Sequence, residues 1–328
     1  LSLIARIVVA VVAIGWVLHG QDWTALGQVF RRLSLWCFTL SLVTYAATQA
    51  IIAFRWRLLL RAQSIYISMG ATVRLHFLGL FYNNVMPGSV GGDLLKAWYV
   101  TKHTDKRLAG ALSVFVDRAI GLVGLVFMAV VTYFLVAHGS LRGPAGSVSG
   151  GAGAWLGQHK NLILWIFVGI MAVLVILFVQ PYGRARLTRA LGQAFHRGVS
   201  LLLEVKDAAL VYCFKPLTVL WAMLLTFVVQ SAPIVTFWLL GRNLGIDVGL
   251  TQYFFIFPVM WVVGALPISV AGLGVVEAGT VGLFIHLTGA PRESALALVL
   301  CQRLIWVLAS LPGGVVHLLG AHLPGELC

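Results

Sequence analysis

Apolar runs of spanning length recur along the chain, separated by short polar and basic stretches. Six are long enough for a ~30 Å hydrocarbon core, which takes about 20 helical residues: 3–18, 35–54, 109–137, 162–180, 217–240 and 294–319. The first is short enough to be a signal peptide's apolar core. No small-residue cleavage site precedes Gln21, so the sequence favours a retained helix. Nothing alternates polar and apolar as a transmembrane barrel strand would. The connector 138–160 carries Gly139-Ser140 and the run Gly146-Ser147-Val148-Ser149-Gly150-Gly151, the composition of a flexible loop. The connector 181–215 is basic and is expected to include an amphipathic helix along the membrane surface.

Two further stretches, 70–100 and 250–287, are apolar but broken at their centres. There they read Asn83-Asn84-Val85-Met86-Pro87-Gly88-Ser89-Val90-Gly91-Gly92-Asp93 and Gly264-Ala265-Leu266-Pro267-Ile268-Ser269-Val270-Ala271-Gly272-Leu273-Gly274. Proline removes a donor and forces its predecessor out of helical geometry, and clustered glycines weaken the helix further. Each stretch therefore reads as two half-helices meeting inside the membrane, a re-entrant hairpin. The two match: Pro87, Ser89, Val90 and Gly92 align with Pro267, Ser269, Val270 and Gly272. Each is followed by an ionisable residue, Lys96 or Glu277, and then by a span holding one arginine, Arg118 or Arg303. Two spans, a hairpin and a third span per half make an odd number of crossings, so the repeat is expected to be inverted. The fold class is an all-α polytopic membrane protein: about six spanning helices plus two re-entrant hairpins. It forms one transmembrane domain over 1–328, with halves at 1–137 and 161–320 and an external loop at 138–160.

Composition agrees. Of 328 residues, 60% are hydrophobic and only 10% charged, where a soluble domain carries about a quarter charged. Mean hydropathy is +0.96. The net charge of +13 would raise nucleic acid as a partner in a soluble protein; here the positive-inside rule accounts for it. With a cytoplasmic N-terminus, that side receives Arg6, Arg55, Arg57, Arg61, Arg74, Lys96, Lys102, Lys106, Arg107, Arg184, Arg186, Arg189, Arg197, Lys206 and Lys215. The outer side receives only Arg31, Arg32, Arg142, Lys160, Arg242 and Arg292. Cys37, Cys213, Cys301 and Cys328 form no CxxC pair, and the histidines have no metal-binding spacing. No metal or cofactor is expected. The glycine content, 35 residues, suits close helix packing within the chain or in a homo-oligomer.

The candidate chemistry lies where the repeat meets the bilayer centre. A half-helix N-terminus offers unpaired N–H groups and a positive dipole end, which attract anions. Ser89 and Ser269 add donors there; Asn83, Asn84, Gly88, Gly91, Gly92, Gly272 and Gly274 line the same breaks. The plainer reading of these glycines is helix packing. Arg118 and Arg303 lie roughly 13–14 Å into their spans at 1.5 Å per residue. A central arginine costs ~3 kcal/mol or more unless it meets a partner or a cavity. They make an anion site, or they are structural ion pairs with Asp93, Asp117 or Glu277. Lys96 stands one turn from Asp93 and can pair with it. Asp93 and Glu277 are candidate proton or cation carriers.

The strings Phe81-Tyr82-Asn83-Asn84-Val85-Met86-Pro87-Gly88-Ser89-Val90-Gly91-Gly92-Asp93, Pro267-Ile268-Ser269-Val270-Ala271-Gly272-Leu273-Gly274-Val275-Val276-Glu277 and Phe54-Arg55-Trp56-Arg57-Leu58-Leu59-Leu60 together resemble the lysylphosphatidylglycerol synthase transmembrane, flippase-like family. The resemblance runs along essentially the whole chain. It implies a multi-pass protein of a bacterial or archaeal inner membrane that moves a phospholipid, glycolipid or polyisoprenoid-linked lipid between leaflets, with Arg55 and Arg57 in a cytoplasmic motif. Bifunctional members carry a soluble aminoacyltransferase domain after the membrane part. No such domain follows within these residues, so the resemblance reaches the flippase half and not lysyl transfer. Two other functions stay open at this point: an integral-membrane transferase acting on a lipid-linked substrate, and an ion-coupled carrier of a small solute.

Overall fold

The computed structural model describes residues 23–85, 91–102, 104–137, 215–265 and 273–319. Among these residues every regular element is a helix. In chain order they are α1 (Trp23–Arg31), α2 (Leu35–Ala62), α3 (Met69–Val85), α4 (Gly91–Lys102), α5 (Arg107–Ala137), α6 (Pro216–Asn243), α7 (Leu250–Ala265), α8 (Val275–Thr288) and α9 (Arg292–Leu318). Local chemistry sets several boundaries. The Ser34 hydroxyl accepts the N–H of Cys37 at 3.5 Å and starts α2. Pro216 opens α6, where a missing N–H costs nothing. Gly289, at φ 68°, ends α8 in the left-handed region.

Among the described residues, α2, α5, α6 and α9 are long and apolar enough to cross a membrane, and the chain is a polytopic helical membrane protein. They match four of the six expected spans. The expected spans at 3–18 and 162–180 lie outside the described residues, as do the connectors 138–160 and most of 181–215. The short helix α1, which hydropathy alone did not single out, packs against α9 and buries Leu26.

Both broken stretches are pairs of helices folded back on each other. In the first, His76 meets Lys96, and farther along α3 both Gly79 and Asn83 meet Gly92, so the strands of contact run in opposite directions. A Cβ on Gly92 would collide with the Gly79 carbonyl, which is why both positions are glycine. In the second, the rings of Tyr253 and Phe284 lie 4.9 Å apart, Met260 covers Gly279, and Gly264 approaches Val276.

The two sets of four helices pack alike. The contacts of α2 with α3, α3 with α4, α4 with α5, and α3 with α9 have counterparts in α6 with α7, α7 with α8, α8 with α9, and α7 with α5. Their first turns match bond for bond. Ser64, at φ 59°, lets the Ile65 N–H reach the Leu60 carbonyl at 3.0 Å; Gly245, at φ 86°, lets Ile246 reach Gly241 at 2.9 Å. Arg57 Nε donates to the Ile67 carbonyl ten residues on at 2.9 Å, and Trp238 Nε1 donates to the Val248 carbonyl ten residues on at 3.0 Å. Between the two sets, α2 and α6 lie antiparallel. The Ser34 N–H at the start of α2 donates to Asn243 Oδ1 at the end of α6 (2.7 Å), and Lys215 Nζ at the start of α6 donates to the Ala62 carbonyl at the end of α2 (2.6 Å).

Candidate functional site

Arg118 and Arg303 stand at the same place in their helices, counted from Arg107 and Arg292, which open α5 and α9. Each meets a carboxylate from the first turn of the second hairpin helix. Arg118 Nη2 pairs with Asp93 Oδ2, and Arg303 Nη1 lies 3.6 Å from Glu277 Oε1. Each carboxylate also has a second partner. Asp93 Oδ1 is 3.5 Å from Lys96 Nζ, and Glu277 Oε2 accepts the Gly274 N–H at 2.7 Å. The pairs differ in access: the Arg118 side chain is 51% exposed, the Arg303 side chain 17%. Arg118 is thus half exposed while its partner Asp93 is buried.

Tyr45 of α2 lies within electrostatic reach of both arginines. Its ring stacks on Trp306 at 6.3 Å, and the Arg303 guanidinium lies 6.0 Å from the Trp306 ring. Val276, Glu277, Val299, Gln302, Arg303 and Trp306 line a recess beside the second pair. Gln302 Nε2 and the indole N–H groups of Trp306 and Trp261 have no hydrogen-bond partner among the described residues.

The remaining candidates fall into two groups. Arg55, read as part of a cytoplasmic motif, turns inward and is buried. Its Nε donates to Asp117 Oδ1 (2.8 Å), Nη1 to Thr226 Oγ1 (2.6 Å) and Nη2 to the Asp117 carbonyl (3.2 Å). Asp117 thus serves Arg55 and leaves Arg118 to Asp93. Arg57 closes the turn after α2. At the breaks, Asn83 Oδ1 accepts the Gly92 N–H at 2.7 Å, and Asn84 Nδ2 donates to the Leu80 carbonyl at 3.2 Å. Gly91 opens α4 and Gly274 precedes α8 at φ 79°. The N–H groups of Gly92 and Gly274 are therefore taken by Asn83 and Glu277 rather than standing bare. Gly88, Ser89, Ser269 and Gly272 lie outside the described residues.

Sequence reading did not single out Tyr45, Gln49, His76 or Thr226. His76 Nε2 lies 3.1 Å from Gln49 Oε1 and Nδ1 lies 3.0 Å from Lys96 Nζ, all three residues being buried. The available signal was a histidine and a glutamine within apolar stretches, where polar side chains need partners.

Comparison with known proteins adds the last observation. The family model described as "Lysylphosphatidylglycerol synthase TM region" matches residues 3–313. A UPF0104 membrane protein of Pyrococcus horikoshii is 20% identical over 320 residues, covering 89% of this chain and 89% of the relative. A UPF0104 membrane protein of Methanothermobacter thermautotrophicus is 22% identical over 304 residues, covering 85% of this chain and 84% of the relative.

Proposed function

The chain belongs to the lysylphosphatidylglycerol synthase transmembrane-region family, and from that premise we propose that it is a lipid translocase of the inner membrane that passes a phosphate-bearing headgroup between leaflets. The observation that carries this reading is Arg118: deep in a spanning helix, half exposed, and paired to a buried carboxylate. A guanidinium so placed costs ~3 kcal/mol or more beside lipid chains, and an anionic headgroup entering from the side relieves that cost. The carboxylates also permit exchange. When a phosphate takes Arg118, Asp93 keeps Lys96, and when one takes Arg303, Glu277 keeps the Gly274 N–H. Neither step strands a buried charge, which would cost several kcal/mol.

The matched halves support a path with two stations. In this reading each hairpin is re-entrant, the halves form an inverted repeat as the antiparallel α2 and α6 suggest, and Tyr45 lies between the arginines. Orientation follows from the lysines. Lys106 Nζ and Lys215 Nζ cap the Gln63 and Ala62 carbonyls, gathering Arg61, Lys106, Arg107 and Lys215 at one end of the bundle. That end is cytoplasmic by the positive-inside rule, and the N-terminus lies on the same side.

Reconstitution tests the reading. In phosphatidylglycerol vesicles with leaflet-specific lipid labelling, the wild type is expected to speed exchange over empty vesicles. Arg118→Ala and Arg303→Ala are expected to slow it by about tenfold or more, the size of one charge-assisted bond. Full rates in both folded variants would make the pairs purely structural.

A further inference from the structure

Five side chains form one continuous polar line in the first half. Gln49 meets His76, His76 meets Lys96, Lys96 meets Asp93, and Asp93 meets Arg118. The first four are buried at 5–6% exposure, and the line ends at the half-exposed Arg118. Its protonation states follow from the partners. Gln49 Oε1 can only accept, so His76 Nε2 carries the hydrogen. Lys96, paired with Asp93, is an ammonium and donates to Nδ1. The imidazole is thus neutral, and its one acceptor site is occupied by a cation.

The second half shows what this place needs for folding alone. Counted on from the matched carbonyls of Ile67 and Val248, the position equivalent to His76 is Phe257. Counted on from Asp93 and Glu277, the position equivalent to Lys96 is Thr280. Both are fully buried, at 0% and 1% exposure, and Phe257 stacks with Phe237 at 5.3 Å. The carboxylate–arginine pair is present in both halves, whereas the histidine and lysine belong to the first alone. An ordinary apolar contact serves in the other half, so scaffolding does not explain a buried imidazole against an ammonium.

We propose that His76 is a proton-binding site linked to headgroup binding, so that each anionic headgroup taken up at Arg118 brings one proton with it. This rests on the translocase reading. A phosphate that takes Arg118 from Asp93 lets the Lys96 ammonium turn off Nδ1 toward the carboxylate the guanidinium has left. A proton from water then adds to the vacated Nδ1, making an imidazolium behind Lys96 and Asp93. When the headgroup leaves, Lys96 returns and Nδ1 gives the proton back to water. Burial and the cations around the ring oppose a second proton on it at rest, so uptake waits on the anion. Arg55 from α2, Lys96 from α4 and Arg118 from α5 are cations within electrostatic reach of His76. Asp93 and Asp117 stand within reach of Lys96. On the α9 side, Gly313 and Gly314 pack against Phe77 and Phe81, and His317 meets Tyr82 farther along. With both carboxylates already matched by cations, an added anion is what makes room for an added proton. By linkage, lowering the pH must then strengthen headgroup binding, by up to about tenfold per pH unit.

Calorimetric titration of the full chain with dihexanoyl-phosphatidylglycerol, in two buffers of different ionisation enthalpy, counts the protons. The wild type is expected to take up about one proton per lipid bound. His76→Phe, which copies the second half, and His76→Gln, which keeps an acceptor for Lys96, are expected to bind the lipid with no linked uptake. Uptake equal in wild type and variants, or absent in the wild type, overturns the proton site and leaves the translocase standing. No binding of the lipid, or binding of glycerol 3-phosphate in its place, overturns the lipid reading and the linkage with it.

Discussion

A buried guanidinium is tolerated when its hydrogens have takers, and Arg55 has three, spread over α5 and α6. Removing one partner of such a pair leaves a charge stranded in low dielectric. Asp117→Ala is therefore expected to cost ~3–5 kcal/mol, while the double change Arg55→Leu with Asp117→Leu recovers most of it. Thermal unfolding of the purified protein reads both, and equal midpoints for single and double variants would show that the charges are not buried together. At this scale the sequence told part of the story. The depth of Arg118 and Arg303 marked them as residues needing partners, and Asp93, Asp117 and Glu277 were the carboxylates at hand. Which carboxylate serves which arginine was not legible. Asp117 adjoins Arg118 in the chain yet bonds Arg55, 62 residues away, because adjacent residues on a helix point in different directions. His76 was passed over for the same reason: its partners Gln49 and Lys96 lie on other helices.

The hairpin helices are held by contacts that leave no room for a side chain. Gly92 rests on the Gly79 carbonyl, and the next residue is Asp93. Gly92→Ala is expected to push α4 off α3 at about 1–3 kcal/mol and, by moving Asp93 against Arg118, to slow lipid exchange as well. Gly70→Ala, where nothing lies within 4 Å of the added carbon, is the control and should stay within about 0.5 kcal/mol of wild type. Paired measurements of midpoint and exchange rate decide it; a neutral Gly92→Ala would mean the two helices are looser than described. Elements were the most legible level. Proline and glycine at the centres of two apolar stretches announced the breaks, and four of the expected spans stand where hydropathy put them. The matching turns after α2 and α6 went unread, because only Leu58, Leu59, Arg61 and Ile65 against Leu239, Leu240, Arg242 and Ile246 carry the match in letters. The rest of it is backbone geometry, shared by Ser64 and Gly245.

For the molecule as a whole, two matched sets of helices each bring an arginine to a carboxylate of their own hairpin. The halves are not in the same condition: the Arg118 side chain is half exposed, while Arg303 is largely covered and lies near the Trp306 ring. Neither difference was foreseeable from sequence, since exposure depends on how α5 and α9 are covered by their neighbours. The half-exposed arginine makes a definite demand on the surrounding lipid. Cryo-electron microscopy of the protein in nanodiscs containing phosphatidylglycerol should show a lipid entering sideways along α5, with its phosphate within about 4 Å of the Arg118 guanidinium, the range of an ion pair. Lipid density confined to the bilayer surfaces, with Arg118 covered by protein, would contradict a headgroup path through the site.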